Sequence, residues 1–372
     1  MKRIVILCYG TWHKSDAPHP THVMHLATAV NRTDTNGIVQ QVIYVAGVGS
    51  GKGTSWYART KDKLTGGVFG WGLVNNIEEA YWHLAFNYQP GDEIYIFGFS
   101  RGACTARSLA GLIRSCGIPP EKNIHRIPEA MASYASRGTD NHPDAPGSLD
   151  FRASFSPLVA TSQREVDARK RDGKGANYLL RITYLGVWDT VGALGIPNQL
   201  MISRWVNRKY EFHDYRLSSS IRSARHAVAI DERRKNFLPT LWENLDEMND
   251  GKTDADAKYQ QLWFPGDHGS VGGGGDILEL SGRTLEWVIE GARRHGLSIN
   301  DAIIGPTIQK ADPMGPLVNS SKPIGIAGRI LRRLSADRKG PQHRGNLSDF
   351  AETRMTTDPS YRPKTLNKFW PD

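Results

Sequence analysis

The stretch from residue 93 to residue 117, EIYIFGFSRGACTARSLAGLIRSCG, constrains the fold of this chain more than any other. Its first part is a continuous apolar run, which is typical of a strand covered on both faces of a parallel sheet. Its second part repeats apolar residues with a helical period. The chain passes from one to the other through Gly98-Phe99-Ser100-Arg101-Gly102 alone. A strand that leads directly into a helix predicts an α/β fold.

The same strand-to-helix rhythm recurs along the chain. Helical patterns occupy residues 76–88, 102–117 and 281–296. Strands and helices that alternate in this way predict a doubly wound, mostly parallel sheet whose reactive groups lie at the carboxyl ends of the strands. The other apolar runs that predict buried strands are RIVILCY (3–9), QVIYVAG (41–47), LLRITYLGVW (179–188) and the weaker YQQLWFPG (259–266).

Three stretches depart from this rhythm and define the predicted domain organisation. We assign residues 1–305 to one catalytic domain with lid or cap insertions near 47–75 and 119–177, because such long loops in a compact domain usually have a function of their own. Residues 306–372 form a basic C-terminal extension, since 12 Lys or Arg and 6 Asp or Glu lie between 310 and 372. The extension is either a solvated, partly ordered tail or a segment attracted to acidic partners or anionic lipid. It contains no nucleic-acid-binding motif, so nucleic acid is not an expected partner.

Composition indicates a globular protein of a reducing compartment. Hydrophobic residues make up 39% of the 372 residues and charged residues 23%, and no apolar stretch reaches the roughly 18 residues of a membrane span. The start, MKRIVILCYG, has too short an apolar run for a secretory signal and fits a first strand better. The three cysteines lack metal-site spacing. We expect no metal, no cofactor and a cytoplasmic location, with export that needs no signal peptide left open.

Ser100 lies at the strand-to-helix junction, within a G-x-S-x-G pattern. A turn this tight leaves room only for glycine at Gly98 and Gly102, so the serine side chain is held out above the sheet edge as a nucleophile elbow. The N-terminus of the following helix adds partial positive charge beside any oxyanion formed there. The alternative is a serine that only caps the helix. The strand before it and the helix after it favour the nucleophile.

A serine nucleophile needs a base and an acid that orients the base, and at such an elbow they follow in the order serine, acid, histidine. Asp189 follows the apolar run ITYLGVW and precedes a glycine-containing turn, although it could merely cap that turn. His268 lies between a strand-like run and successive glycines, where the backbone can approach a reacting centre closely. His226 lies in a helical pattern and is given a structural role. The predicted triad is Ser100, Asp189 and His268.

The oxyanion of such a reaction needs two N–H donors. One is the backbone N–H of Arg101, the residue after the nucleophile. The other is expected from the loop after the first strand, where Thr11 and Trp12 follow a glycine. The sequence therefore predicts an oxyanion hole between this loop and the start of the helix.

Six motifs occur in the order seen in a known family. They are YGTW, GGVFGWGL, GFSRGA, LGVWDTVGALG, AIDERR and WFPGDHGSVGGG. They resemble the α/β-hydrolase domain, long of unknown function, that includes the type VI secretion phospholipase effectors. The resemblance runs from residue 3 to about residue 300. It implies an α/β-hydrolase-like sandwich and a serine esterase with Ser100, Asp189 and His268 as its triad, acting on a lipid ester such as membrane phospholipid.

Two positions depart from the family pattern. The family commonly has aspartate before the first Gly-Thr-Trp, where this chain has Tyr9. It also commonly has His-Ser-Asp-Val-Gly-Gly, whereas here Gly269 and Ser270 follow the histidine. The triad residues are kept, but acids that would tune them are missing. Asp267, next to the histidine, could replace one of them.

The substrate class is less constrained than the reaction. The glycine-rich stretch 52–75 carries aromatic residues that either form a lid against an acyl chain or a bilayer, or simply pack under a long loop. Three functions therefore stay open: a lipolytic phospholipase or lipase, an esterase for short soluble or polymeric esters, and an inactive hydrolase-fold binding module. The candidate lid residues are Trp56, Tyr57, Phe69 and Trp71.

Overall fold

The computed structural model describes residues 1–10, 19–46, 67–136, 142–173, 178–192, 216–252, 257–317 and 336–370, without the side chains of 67–71 and 236. Within these ranges no helix combines the length and the apolar character that a membrane span requires.

The centre of the molecule is a six-stranded sheet in which every neighbouring pair is parallel. Its strand order is β2-β1-β3-β6-β7-β8. The order turns back between β1 and β3, as in a doubly wound sheet, so the predicted fold class is confirmed. The strands of this sheet are β1 (Arg3–Cys8), β2 (Gln40–Val45), β3 (Glu93–Phe99), β6 (Ile182–Trp188), β7 (Ala224–Ala229) and β8 (Tyr259–Phe264), and the short pair β4 (Val159–Ala160) and β5 (Tyr178–Leu179) forms a separate sheet.

The sequence prediction missed β7. His226 was expected in a helix, and this is wrong because Ala224–Ala229 is a strand in which all six residues are buried. The strand pairs with β6 on one side and β8 on the other. Its Arg225 and His226 interrupt the apolar run that usually indicates a buried strand, and both side chains find buried partners elsewhere in the fold.

Helices cover both faces of the sheet. On β1, Ile4 and Ile6 face the layer that contains the helices at 67–87 and 101–116. Val5 and Leu7 face the layer that contains the helices at 22–29 and 278–293. This alternation explains why the strand is apolar at every position. The helices are α1 (His22–Ala29), α2 (Gly67–Asn87), α3 (Arg101–Cys116), α4 (Ile127–Ala135), α5 (Pro146–Phe155), α6 (Gln163–Arg171), α7 (Leu245–Met248), α8 (His268–Gly272), α9 (Leu278–Arg293), α10 (Asp301–Ile308) and α11 (Asp349–Thr357).

Residues 336–370 of the C-terminal extension pack against the edge strand β8. Leu347 forms a parallel bridge with Trp263, and the Ser348 N–H donates to the Trp263 carbonyl at 3.0 Å. Two of the basic residues counted in this extension, Arg338 and Arg354, are buried. These ordered contacts do not fit a wholly solvated tail. The apolar residues that join the extension to the sheet are Val228, Ile230, Trp263, Leu347, Ala351, Met355, Tyr361 and Leu366.

Where the chain is described, both predicted insertions contain helices or strands, and the predicted domain boundary lies within a helix. Within 119–177, helices α4 and α5 pack against α3, and α6 packs against β4. Within 47–75, helix α2 begins at Gly67. The boundary drawn at residue 305 falls inside α10, which runs from Asp301 to Ile308.

Candidate active site

Ser100 forms the turn between β3 and α3. Its backbone has φ 60° and ψ −124°, a conformation that residues other than glycine rarely adopt. Its N–H donates to the carbonyl of Trp188, at the end of the neighbouring strand β6, at 3.1 Å. The turn therefore holds Ser100 at the carboxyl edge of the sheet, directly before the N-terminus of a 16-residue helix.

The two glycines of the motif are required by close backbone contacts. A Cβ on Gly98 would lie 2.4 Å from the carbonyl oxygen of Gly102, and a Cβ on Gly102 would lie 2.1 Å from the carbonyl oxygen of Cys8. Both distances are far below van der Waals contact. Helix α3 thus starts against the ends of β1 and β3, and only glycine permits that approach.

The structure brings the three predicted triad residues together in series. The Ser100 Oγ lies 2.8 Å from His268 Nε2, and His268 Nδ1 lies 2.6 Å from Asp189 Oδ2. Asp189 directly follows β6, and His268 begins α8, shortly after β8. The three side chains come from separate strand ends at one edge of the sheet. This geometry can pass a proton from the hydroxyl to the imidazole.

Packing and hydrogen bonds fix the imidazole of His268. Its ring centroid lies 4.5 Å from that of Phe99 and 4.8 Å, edge-on, from that of Phe237. Its backbone N–H donates to Glu232 Oε2 at 3.3 Å. The ring is therefore held between two aromatic side chains and is exposed over only 7% of its surface.

Asp189 is fully buried and has more partners than the sequence predicted. Its Oδ1 accepts from the Ala229 N–H at 3.0 Å, and both of its carboxylate oxygens accept from the guanidinium of Arg338. Burial would raise the pKa of Asp189, but Arg338 and the hydrogen bond with His268 outweigh it and hold the pKa well below its usual range. Asp189 is thus a carboxylate whose charge is balanced inside the protein. Sequence analysis missed Arg338, because nothing in its local pattern distinguishes it from the other basic residues of the extension.

The remaining predicted site residues are only partly accounted for by the described chain. Arg101 is the first residue of α3, so its backbone lies where the first oxyanion donor is expected. Phe69 and Trp71 belong to helix α2, and their side chains are outside the described structure. Thr11, Trp12, Trp56 and Tyr57 lie outside the described residues altogether. The oxyanion hole and the aromatic lid remain predictions.

The two departures from the family pattern have ordinary structural roles here. Tyr9 is buried and stacks at an angle on Tyr44, with ring centroids 5.6 Å apart. Ser270 is held by Asp267, whose Oδ1 accepts from both the N–H and the hydroxyl of Ser270 at 3.0 and 3.1 Å. Asp267 therefore caps α8 at the residue before His268 and steadies the loop that carries the histidine.

Among the residues that the structure describes, no three His, Cys, Asp or Glu side chains gather closely enough to hold an ion. The arrangement at Ser100 has the groups that acyl transfer through a serine requires.

A parallel doubly wound sheet with serine, histidine and aspartate in series at its carboxyl edge defines the α/β-hydrolase-like class. Residues 2–291 match the family model described as T6SS, phospholipase effector Tle1-like, catalytic domain. The chain belongs to this family, and the resemblance drawn from its motifs is confirmed.

Three similar proteins place the chain among longer relatives. The uncharacterized protein YEL023C of Saccharomyces cerevisiae is 27% identical over 242 residues, which cover 63% of this chain and 32% of that protein. An uncharacterized protein from Pseudomonas aeruginosa has a crystal structure that matches 90% of this chain and 52% of its own, at 15% identity and a TM-score of 0.42. The Tle1 effector, solved bound to the VgrG spike of the type 6 secretion system, matches 73% of this chain and 52% of its own, at 16% identity and a TM-score of 0.31. The chain thus spans about a third of the yeast relative's length and about half of each solved chain.

Proposed function

We propose that this protein is a serine ester hydrolase that acts on phospholipid through an acyl-enzyme intermediate. The observation that carries the proposal is the hydrogen-bonded series from Ser100 through His268 to the buried Asp189. Membership of a family of phospholipase effectors supports the lipid substrate.

The reaction begins when Ser100 Oγ attacks the ester carbonyl. His268 Nε2 takes the hydroxyl proton, and Asp189 accepts a hydrogen bond from Nδ1–H, which sets the tautomer and stabilises the imidazolium. The imidazolium then protonates the leaving alcohol as the carbon–oxygen bond breaks. A water molecule, deprotonated by the same histidine, then attacks the acyl-enzyme. The bond between the acyl carbon and Ser100 Oγ breaks, the imidazolium returns its proton to Oγ, and the fatty acid is released.

The negative charge of the tetrahedral intermediate needs donors at the same edge of the sheet. The N–H of Arg101 at the start of α3, together with Thr11 or Trp12 after β1, would supply them. Loss of one such donor typically costs about 3 kcal/mol of transition-state stabilisation.

The surroundings of the site and the charge of the chain favour a lipid substrate. Phe99 and Phe237 flank the imidazole, so the proposed base lies in apolar surroundings, which favours a substrate with an apolar acyl chain. The chain carries a formal net charge of +9, which would favour peripheral contact with an anionic membrane surface. Short soluble esters are the alternative substrates, and chain-length preference separates them from lipids.

The test compares wild-type protein with Ser100→Ala on p-nitrophenyl esters from acetyl to palmitoyl and on vesicles of phosphatidylglycerol and phosphatidylethanolamine. The matched control is Ser154→Ala, because Ser154 is exposed and its hydroxyl donates to the carbonyl of Phe151 and accepts from Arg126 Nη1, neither of which belongs to the triad. We expect fatty-acid release that increases with chain length and occurs on vesicles in wild type and Ser154→Ala but not in Ser100→Ala. Turnover limited to short esters would contradict the lipid substrate, and turnover that survives in Ser100→Ala would contradict the serine mechanism.

A further inference from the structure

Arg338, in the C-terminal extension, contacts the carboxylate of Asp189 with both of its terminal nitrogens. Nη1 donates to Asp189 Oδ1 at 2.6 Å, and Nη2 donates to Asp189 Oδ2 at 2.9 Å. The side chains are exposed over only 1% and 0% of their surfaces. This is a bidentate, fully desolvated ion pair between residues 149 positions apart in the chain.

The protein main chain fixes the guanidinium from its other side. Nη1 also donates to the carbonyl of Ala229 at 2.9 Å, and Nη2 also donates to the carbonyl of Phe237. Ala229 ends β7, and Phe237 packs edge-on against the imidazole of His268. The segment that carries Arg338 is itself attached to the loop after β7, because the Ala336 N–H donates to the carbonyl of Arg233 at 2.8 Å.

We propose that Arg338 is a positioning residue of the active site, which holds the Asp189 carboxylate in the orientation that presents Oδ2 to His268. The proposal rests on the proposed function of the Ser100 site. It also assigns a role to a segment beyond the catalytic-domain match, which ends at residue 291. The C-terminal extension would thus complete the acid of the triad.

The hydrogen bonds around Asp189 explain why a bidentate donor such as a guanidinium is needed. Oδ1 is held by the Ala229 N–H and Arg338 Nη1, while Oδ2 is shared between His268 Nδ1 and Arg338 Nη2. Both oxygens are thereby restrained, and rotation of the carboxylate would break two bonds to arginine at once. Lysine carries the same charge but is a single point donor, so it cannot restrain both oxygens in this geometry.

The charge of Arg338 also lowers the pKa of Asp189, whose carboxylate is hydrogen-bonded to His268. Removal of Arg338 takes a buried positive charge away from this pair, so the acid limb of turnover should move to higher pH. The other groups that face this histidine are Ser100 and Glu232, and Asp267 precedes it on its own helix. Arg234 pairs with Glu232 at 2.6 Å. These groups are unchanged by substitution at Arg338, so a shift of the acid limb would report on Arg338 itself.

The experiment compares Arg338→Met, which removes both the positive charge and the paired N–H donors, with Arg338→Lys, which keeps the charge and removes only the paired donors. The matched control is Arg354→Met, since Arg354 is a buried arginine of the same extension that donates to the carbonyls of Pro313 and Gly315, neither of which belongs to the triad. In Arg338→Met we expect kcat on the ester series to fall about 10- to 100-fold with little change in KM, and the acid limb of the kcat/KM profile to move to higher pH. In Arg338→Lys we expect a fall in kcat with the acid limb in place. Arg354→Met should lose stability but keep both kcat and the profile.

A second readout separates this proposal from the proposed function. In histidine-labelled protein, the Nδ1–H NMR signal of His268, assigned with His268→Gln, should lie further upfield in Arg338→Met than in wild type, because Asp189 Oδ2 is no longer held against it. This holds even if the wild-type protein hydrolyses no ester tested, in which case only the proposed function fails. Wild-type kcat in Arg338→Lys, or an unmoved His268 Nδ1–H signal in Arg338→Met, would overturn the positioning role. If Arg338→Met does not fold, the kcat of Arg338→Lys against that of Arg354→Met decides the question.

Discussion

Backbone strain in this protein is concentrated at the candidate site. In the described chain, three residues other than glycine have positive φ, and two of them are Ser100 at 60° and Asp189 at 35°. Such conformations cost roughly 1–3 kcal/mol each and persist only where the surrounding structure enforces them. Here the crossing of β1, β3 and α3 enforces the first, and the strand end of β6 enforces the second. The strain supports the view that these two side chains are held for chemistry.

Substitution at the ion pair should separate stability from activity. Asp189→Asn leaves the Arg338 guanidinium buried without a counter-ion, so we expect it to lower the free energy of unfolding by about 3 kcal/mol. It should also reduce turnover roughly 1,000-fold, because the neutral amide no longer orients the imidazole. The double variant Asp189→Asn/Arg338→Met removes both charges and should recover much of the stability but none of the activity.

Denaturant unfolding and ester turnover, measured on wild type, both single variants and the double variant, test this expectation. We expect the losses of stability to be strongly non-additive, with the double variant more stable than the sum of the single losses predicts. We expect turnover not to recover in the double variant. A double variant whose loss of stability equals the sum of the two single losses would contradict a direct Asp189–Arg338 coupling.

At the residue scale, the sequence was sufficient for the groups that lie within motifs. Ser100, Asp189 and His268 each follow a recognisable apolar run, so their approach at one sheet edge could be predicted, although their catalytic role stays a prediction. Arg338 could not be predicted, because its significance comes from a partner 149 positions away and no local pattern encodes that pairing.

At the scale of elements, the loop after β7 joins the sheet, the histidine loop and the C-terminal extension. Asp231 Oδ2 accepts from the Gly266 N–H at 2.7 Å and from the Tyr361 hydroxyl at 2.9 Å. Burial raises the pKa of Asp231 to about 6, and these hydrogen bonds oppose the rise only in part. The junction is therefore sensitive to pH in the weakly acidic range.

The direction of this sensitivity follows from proton linkage. Between about pH 4 and pH 6 the folded protein binds a proton at Asp231 that the unfolded chain releases, so this stabilising contribution is present at low pH and is lost as the pH rises through 6. Asp231→Asn keeps an acceptor oxygen and removes the titration. Relative to wild type, it should gain about 1–2 kcal/mol of stability between pH 4.5 and pH 7. Urea unfolding at several pH values measures the difference, with the exposed Asp250→Asn as control. A difference that is independent of pH would contradict the prediction.

The elements themselves were predictable where they follow one period. The strands β1 and β3 are apolar throughout because helices cover both of their faces, and the sequence identified them within a residue or so of their observed ends. Strand β7 was missed because its Arg225 and His226 are buried through tertiary partners: Arg225 donates to the Trp287 carbonyl, and His226 bonds Gln261. A polar residue that is buried by distant contacts gives no strand signal in its own neighbourhood.

At the scale of the whole molecule, residues 336–370 behave as part of the fold. They cover the apolar face of Trp263 on the edge strand, and they supply the counter-ion of Asp189. A chain that ends at residue 335 should therefore expose this apolar surface and leave a buried carboxylate with fewer partners. We expect it to aggregate or to unfold at clearly lower temperature than the full chain, as size-exclusion chromatography and thermal denaturation would measure.

The control for this truncation is a chain that ends at residue 370, which keeps every described contact of the extension. It should match the full chain in Tm and in elution volume. A chain ending at 335 that is monomeric and has the Tm of the full chain would show that the extension is dispensable for folding. The sequence left open whether this extension is solvated or meets lipid, because charge content alone does not reveal that Arg338 and Arg354 are buried.

The most direct test of the central claim is to react the protein with a fluorophosphonate and locate the adduct by peptide mass spectrometry. We predict a single adduct on Ser100 in wild type, much slower labelling in His268→Gln and Asp189→Asn, and none in Ser100→Ala. Labelling should be slower at acid pH, as general-base activation of a serine predicts. An unlabelled wild-type protein, or an adduct on a residue other than Ser100, would contradict the assignment of Ser100, His268 and Asp189 as a catalytic triad.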